Sequence, residues 1–312
     1  MNRFLDAPVL VPMPNESADK APDDAMPPPA ARERRRLREK RLTDLAPRVV
    51  SSFILAAAAL IAVWRGGTVF SVIWFIGALP VGLEWQNLIG ARRLRARFAI
   101  VALALALATF FLHISQFGLA CAVLAAAGAA LAWAAGPARR IWAAAGIIYA
   151  GSLIVSVSAL YASPTYGQRA IFWLFATVWG TDVFAYFGGR LLGGPKLWPK
   201  ISPSKTWSGA FCGICAGALI GVAIGSFGLG EARLGLPIFA LGLVTALVSQ
   251  AGDIFESIVK RRFGVKDSSE LIPGHGGFMD RMDGFIAAAA FAALVGAGHG
   301  LSSLAAGLFD WL

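Results

Sequence analysis

At 312 residues, 57% hydrophobic and only 15% charged, with a mean hydropathy of +0.65, the chain is too apolar for a soluble globular domain and has the composition of a polytopic membrane protein. The net charge of +10 would suit a nucleic-acid binder, but the cations sit in an N-terminal run and in short loops between apolar spans, which argues against nucleic acid as a partner. Cys121, Cys212 and Cys215 all lie in apolar segments, so no disulfide framework is indicated, and the C-x-x-C at 212–215 reads as small-residue helix packing rather than a redox or zinc motif.

Residues 1–46 differ from the rest: rich in Pro, Asp and Ala, then densely basic from Arg32 to Arg41. With no apolar core the segment is not a signal peptide, and it reads as a disordered cytoplasmic tail whose charge holds the N-terminus inside. Residues 47–312 form the membrane domain. Apolar stretches of bilayer-spanning length are predicted near 48–64, 68–84, 98–113, 117–135, 141–160, 170–188, 208–229, 235–256 and 284–309. The last is long for one crossing and leaves room for an interfacial tail ending at Trp311. The positive-inside rule supports this count: with the N-terminus inside, only Arg65, Arg169 and Arg233 fall outside, and every other Lys and Arg lies in the tail or in loops 92–97, 139–140, 190–205 and 260–281. The expected fold class is all-α, with about nine transmembrane helices.

Two segments depart from this apolar background, both predicted on the cytoplasmic side. Toward the end of the sixth span Asp182, Tyr186 and Gly189 follow at i, i+4, i+7, placing a carboxylate and a phenol on one helix face. Ionisable groups within spans mark function by default. The loop beyond supplies a Gly-Gly-Pro-Lys turn and then Ser202, Lys205 and Thr206, hydroxyls and an ammonium suited to phosphate oxygens. In the eighth span Gln250, Asp253, Ser257 and Lys260 recur at steps of three, four and three, with Glu256 beside them. Such a stripe cannot face lipid and reads as the wall of a polar cavity.

The charged run then continues through Arg261, Lys266 and Asp267 to Pro-Gly-His-Gly-Gly. Successive glycines such as Gly276 and Gly277 let backbone N–H groups converge on an anion. His275 among them is a phosphate donor, an acid–base group or a turn residue. Asp280 and Asp283 open the ninth span at i, i+3; they either complement the helix dipole or, with Asp253, hold a hard divalent cation. Arg281 between them suits bidentate phosphate contact. No G-x-x-x-x-G-K-[ST] and no kinase-type glycine loop is present, and His113 and His299 stand alone in apolar spans.

With these residues in place the chain resembles the phosphatidate cytidylyltransferases, also called CDP-diacylglycerol synthases. The family signature, S-x-x-K-R-x4-K-D followed by an aliphatic-Pro pair, H-G-G and D-R-x-D, is met by Ser257, Lys260, Arg261, Lys266, Asp267, Ile272, Pro273, His275, Gly276, Gly277, Asp280, Arg281 and Asp283. A second element matches Asp182, Ala185, Tyr186, Gly189, Arg190, Ser202, Pro203, Lys205, Thr206 and Trp207; Ser208 departs from it, where relatives often carry Glu or Gln. The resemblance covers about 48–312 and implies transfer of a cytidylyl group from CTP to phosphatidate, giving CDP-diacylglycerol and pyrophosphate.

It implies a magnesium ion, with a second cation as a further expectation, on Asp253, Asp280 and Asp283. Lys260, Arg261, Lys266 and Arg281 would hold phosphates, and Asp182 and Lys205 would close the site, with Tyr186, Ser202, Thr206, Ser257, Gly276 and Gly277 as substrate contacts. Asp267 and His275 join the catalytic group without an assigned role. The cavity would open sideways to the cytoplasmic leaflet, because phosphatidate keeps its acyl chains in the bilayer. The family further implies a homodimer, and the Ala- and Arg-rich composition points to a bacterial inner membrane. Two alternatives make different predictions: a CTP-dependent enzyme acting on another lipid phosphate or a polyprenol, and a non-catalytic transporter or scaffold.

Overall fold

In a bilayer, where no water satisfies backbone polar groups, long Ala/Leu/Ile/Val runs must pair those groups internally as helices. The computed structural model describes residues 49–226, 235–269, 271–272, 276–299 and 302–309. The expected N-terminal tail, His275 and Trp311 lie outside the described residues. In chain order the elements are α1 (Val49–Arg65), α2 (Gly67–Leu88), α3 (Leu94–His113), α4 (Phe117–Ala135), α5 (Arg140–Tyr161), α6 (Gly167–Leu191), β1 (Lys196–Trp198), β2 (Ser202–Thr206), α7 (Trp207–Gly225), α8 (Gly235–Arg262), α9 (Met279–Gly298) and α10 (Ala306–Phe309). Eight of them, α2–α9, are long and apolar enough to cross a membrane, and the shorter apolar α1 occupies the first predicted span.

Short connections make successive helices antiparallel, so the ends of α2, α6 and α8 and the starts of α3, α5, α7 and α9 share one face. Contacts at both faces fit this arrangement. On the first, Trp142 at the start of α5 meets Phe263 beyond the end of α8, ring centroids 5.3 Å apart. On the opposite face, Tyr161 at the end of α5 donates to the Val63 carbonyl at 3.0 Å and stacks on Phe70 at 4.0 Å. Helix α5 is central, with Ala143, Gly146, Ile147, Ala150, Leu153, Ile154 and Val157 all buried. Trp74, Phe175 and Phe285 join α2, α6 and α9 in one aromatic cluster.

The closest helix pair is α6 with α7, and the sequence shows why. Gly209, Gly213, Gly217 and Gly221 repeat every four residues on one face of α7, the small-residue stripe that lets backbones approach without side chains between them. A Cβ on Gly217 would sit 2.1 Å from Thr181 Oγ1 and 2.6 Å from the Thr177 carbonyl; on Gly213 it would sit 2.6 Å from the Thr181 carbonyl. Cys212 packs beside Gly188, in keeping with the packing reading of the C-x-x-C. Gly217→Val is therefore expected to part the two helices that carry half of the polar site, a cost of about 3 kcal/mol. Size-exclusion chromatography in detergent should show aggregation for Gly217→Val and a wild-type profile for Gly118→Ala, whose added methyl meets nothing within 4 Å.

Two features differ from the sequence reading. The segment after α6, expected as an irregular loop, contains an antiparallel hairpin that pairs Lys196 with Thr206 and Trp198 with Ser202. The expected long span at 284–309 instead begins at Met279 and stops at Gly298, and the chain then turns back. Glycines explain the return: a Cβ on Gly307 would lie 2.2 Å from the Gly296 carbonyl, and one on Gly296 would lie 2.2 Å from the Leu304 carbonyl. Phe309 packs against Trp173 and Tyr166 at 6.1 and 5.9 Å, so the tail to Phe309 is buried against α6 and α9.

Candidate active site

The polar stripe of α8 is one continuous helical face, because α8 runs unbroken to Arg262. Near its middle the Gln250 amide donates to the Ala210 carbonyl of α7 at 3.0 Å. One turn on, Asp253 Oδ2 accepts from Lys205 Nζ at 2.6 Å, which ties β2 to α8. Between them opens a cleft of about 490 Å³, lined by Asp182, Tyr186, Lys205, Thr206, Gln250 and Asp253 among others. Asp182 has Asp253, Lys205 and Arg281 as its charged neighbours, so the two polar segments meet here. The Tyr186 hydroxyl accepts from Arg190 at 2.8 Å. Thr206 caps α7, its Oγ1 accepting from the Gly209 N–H at 3.1 Å. Ser208, the departure from the family pattern, donates to the Gly193 carbonyl and so closes the turn before the hairpin. Ser202 sits at the hairpin's far end, opposite Trp198.

Two turns beyond Asp253, the Lys260 ammonium lies between two carboxylates, 2.6 Å from Glu256 Oε2 and 2.7 Å from Asp280 Oδ1. The other oxygen of Asp280 accepts the N–H groups of Ser268 at 3.2 Å and Gly277 at 3.0 Å. This closure needs its glycines: Gly276 has φ +83°, and a Cβ on Gly277 would overlap Ser268 Oγ. Arg261 is exposed and donates to the Val265 carbonyl of the turn that follows α8, at 3.1 Å. Lys266, Asp267 and Arg281 are exposed on the same face, and Ser257 is half-buried on α8.

Asp283 links the two groups. Its carboxyl neighbours that of Asp253, and a Cβ on the adjacent Gly284 would fall 2.6 Å from Asp253 Oδ1, so α8 and α9 touch at this point. Among the described residues no three Asp, Glu, His or Cys side chains converge as one metal centre. The donor chemistry still fits a hard cation: Asp253 and Asp283 offer paired carboxylates at a polar cleft, and magnesium commonly takes one or two carboxylates and completes its shell with water and substrate phosphate. The place of Asp280 as a third ligand rests on the family pattern, since here its oxygens hold Lys260 and two backbone N–H groups.

One participant was not read from the sequence. Glu84, at the end of the second predicted span, is buried and accepts from both Ser268 and Ser269 and from the N–H groups of Phe278 and Met279. A lone carboxylate closing an apolar span was the available signal. Its partners, more than 180 positions away in sequence, gave none.

Comparison with known proteins agrees with the geometry. A family model described as "Cytidylyltransferase family" matches residues 46–297. A phosphatidate cytidylyltransferase of Brucella abortus is 41% identical over 258 residues, covering 82% of this chain and 94% of the relative. Those of Staphylococcus epidermidis (46% over 129 residues, 40% of this chain and 48% of the relative) and Rickettsia bellii (44% over 117 residues, 36% and 51%) are similar over shorter stretches.

Proposed function

The chain belongs to the cytidylyltransferase family, and from that premise we propose that it transfers a cytidylyl group from CTP to phosphatidate, releasing pyrophosphate and forming CDP-diacylglycerol. The observation that carries this reading is the meeting of both polar segments at one end of the bundle, joined by the Lys205–Asp253 pair, with the Lys260–Asp280 pair tying α8 to α9 beside it. A scaffold has no use for acids and bases gathered from α6, β2, α8 and α9 at a bilayer face, where each is costly.

The phosphate oxygen of phosphatidate is already anionic at neutral pH and needs little base catalysis. It forms a bond to the α-phosphorus of CTP as the bond from that phosphorus to the bridging oxygen breaks and pyrophosphate leaves with the electron pair. The difficulty is bringing two polyanions together and stabilising charge on the leaving group. Lys205 supplies a cation inside the cleft, Lys260 a second one two turns further along α8, and Arg261, Lys266 and Arg281 would add exposed cations on the same side. A magnesium ion on Asp253 and Asp283, with Asp280 beside them, would neutralise phosphate charge and orient the leaving group. Asp182 and Tyr186 would bound the nucleotide side of the cleft, with Ser257, Gly276 and Gly277 contacting phosphate. The site face is assigned to the cytoplasm of a bacterial inner membrane, where CTP is available, and a homodimer is expected from the family.

The test is CTP-dependent pyrophosphate release by purified protein in detergent–phosphatidate micelles, with CDP-diacylglycerol formed in equal amount. Release that stops on chelation of magnesium and is not supported by ATP is the expected result. A folded protein that releases none, or that prefers a polyprenol phosphate as acceptor, overturns the assignment.

A further inference from the structure

Helix α9 begins without a cap of its own: Phe278 at its N-cap makes no side-chain hydrogen bond to the helix. The first N–H groups of a helix have no partner within it, and a buried helix start must find them elsewhere. Here they are met from another helix. Glu84 of α2 accepts the Phe278 N–H on Oε1 at 2.9 Å and the Met279 N–H on Oε2 at 2.8 Å. The same two oxygens accept the Ser269 hydroxyl at 2.5 Å and the Ser268 hydroxyl at 2.9 Å. A carboxylate only 5% exposed, with no cation paired to it among the described residues, is thus held by four donors and the positive end of a helix dipole.

We infer that Glu84 is the positioning residue of the site, resting on the cytidylyl-transfer reading for its functional consequence. Three successive N–H groups at the start of α9 are divided between two carboxylates: Gly277 donates to Asp280, Phe278 and Met279 to Glu84. Asp280 in turn holds Lys260. Glu84 therefore fixes the loop and helix start that present Asp280, Arg281 and Asp283, without lining the cleft itself. Its own backbone is anchored: Trp85 donates to the Trp142 carbonyl and Gln86 to the Ala143 carbonyl, both at 2.8 Å, and Arg97 bonds Gln86 at 2.8 Å. A Cβ at Gly277 would lie 2.8 Å from Glu84 Oε2, so that glycine serves the clasp as well as the turn.

The experiment pairs hydrogen–deuterium exchange with steady-state kinetics on Glu84→Gln. The glutamine keeps the volume but turns an NH2 toward donors that need an acceptor. Amides of 268–269 and 277–279 should exchange at least about tenfold faster, those of α3–α5 unchanged. The turnover number should fall about 100-fold while KM for phosphatidate stays within about threefold. Ser268→Ala/Ser269→Ala should show the same pattern more weakly and add nothing in the Glu84→Gln background. Should Glu84→Gln fail to fold, the serine pair carries the test through its own exchange pattern. Unchanged loop exchange in a folded variant, independent effects of the two changes, or a loss confined to KM would overturn the inference. A wild type with no transferase activity but the expected exchange response would instead refute the transfer reading and leave the clasp standing.

Discussion

Lys260→Met is expected to abolish activity and to lower stability by about 3–5 kcal/mol, the range for removing one partner of a buried ion pair. Lys260 pairs with both Glu256 and Asp280, and Glu256 is 1% exposed. The two acids do not suffer equally. Asp280 keeps two backbone N–H donors, whereas Glu256 Oε1 has no hydrogen-bond partner even with the lysine present. Most of the lost stability should therefore come from Glu256, and Lys260→Met/Glu256→Leu should recover much of it, because an apolar pair tolerates burial where a single charge does not. Activity should not return, since the lysine's charge toward phosphate is still absent. Thermal unfolding in detergent and pyrophosphate release would be measured on both variants. A Lys260→Met protein that melts with the wild type would show that the acids are already uncharged, and the ion group would lose its structural role.

What the sequence made legible follows from what a bilayer forbids. Charge inside a span is costly, so Asp182, Asp253 and Lys260 stood out from Ala and Leu by residue type alone, and helical spacing put the α8 stripe on one face. The two polar segments meet at the Lys205–Asp253 bond. The hairpin was hidden because its strands are short, carry Pro203 and lack the alternation of apolar and polar residues that marks a half-buried strand. The turn back to Phe309 was hidden because Ala and Gly read as span whether a helix continues or folds against itself. Glu84 was hidden differently: its meaning lies entirely in donors from the far end of the chain, and no local pattern carries such a contact. The departure at Ser208 becomes intelligible only in place, where a short hydroxyl reaches the Gly193 carbonyl.

Asp253→Asn should reduce kcat/KM for CTP by about 10³-fold, near the loss seen when a site is stripped of one principal electrostatic group. The asparagine keeps size and one acceptor oxygen, so the fold should survive; Lys205 and Asp253 are both partly exposed, and their pair contributes only about 1 kcal/mol. That modest bond makes a sharper prediction possible. Lys205 holds Oδ2 of the carboxylate proposed to bind the cation, so ammonium and metal would compete for Asp253. Removing the competitor in Lys205→Met should lower the magnesium concentration for half-maximal activity by roughly fivefold, the equivalent of about 1 kcal/mol. The same change should lower the maximal rate, because the ammonium is also needed on the CTP phosphates. Opposite movement of the two parameters distinguishes a lysine that exchanges partners from one that merely braces the hairpin. A bracing role would instead lower the rate and raise the magnesium requirement together, and a magnesium titration of Lys205→Met that moved to higher concentration would refute competition between the ammonium and the metal for Asp253.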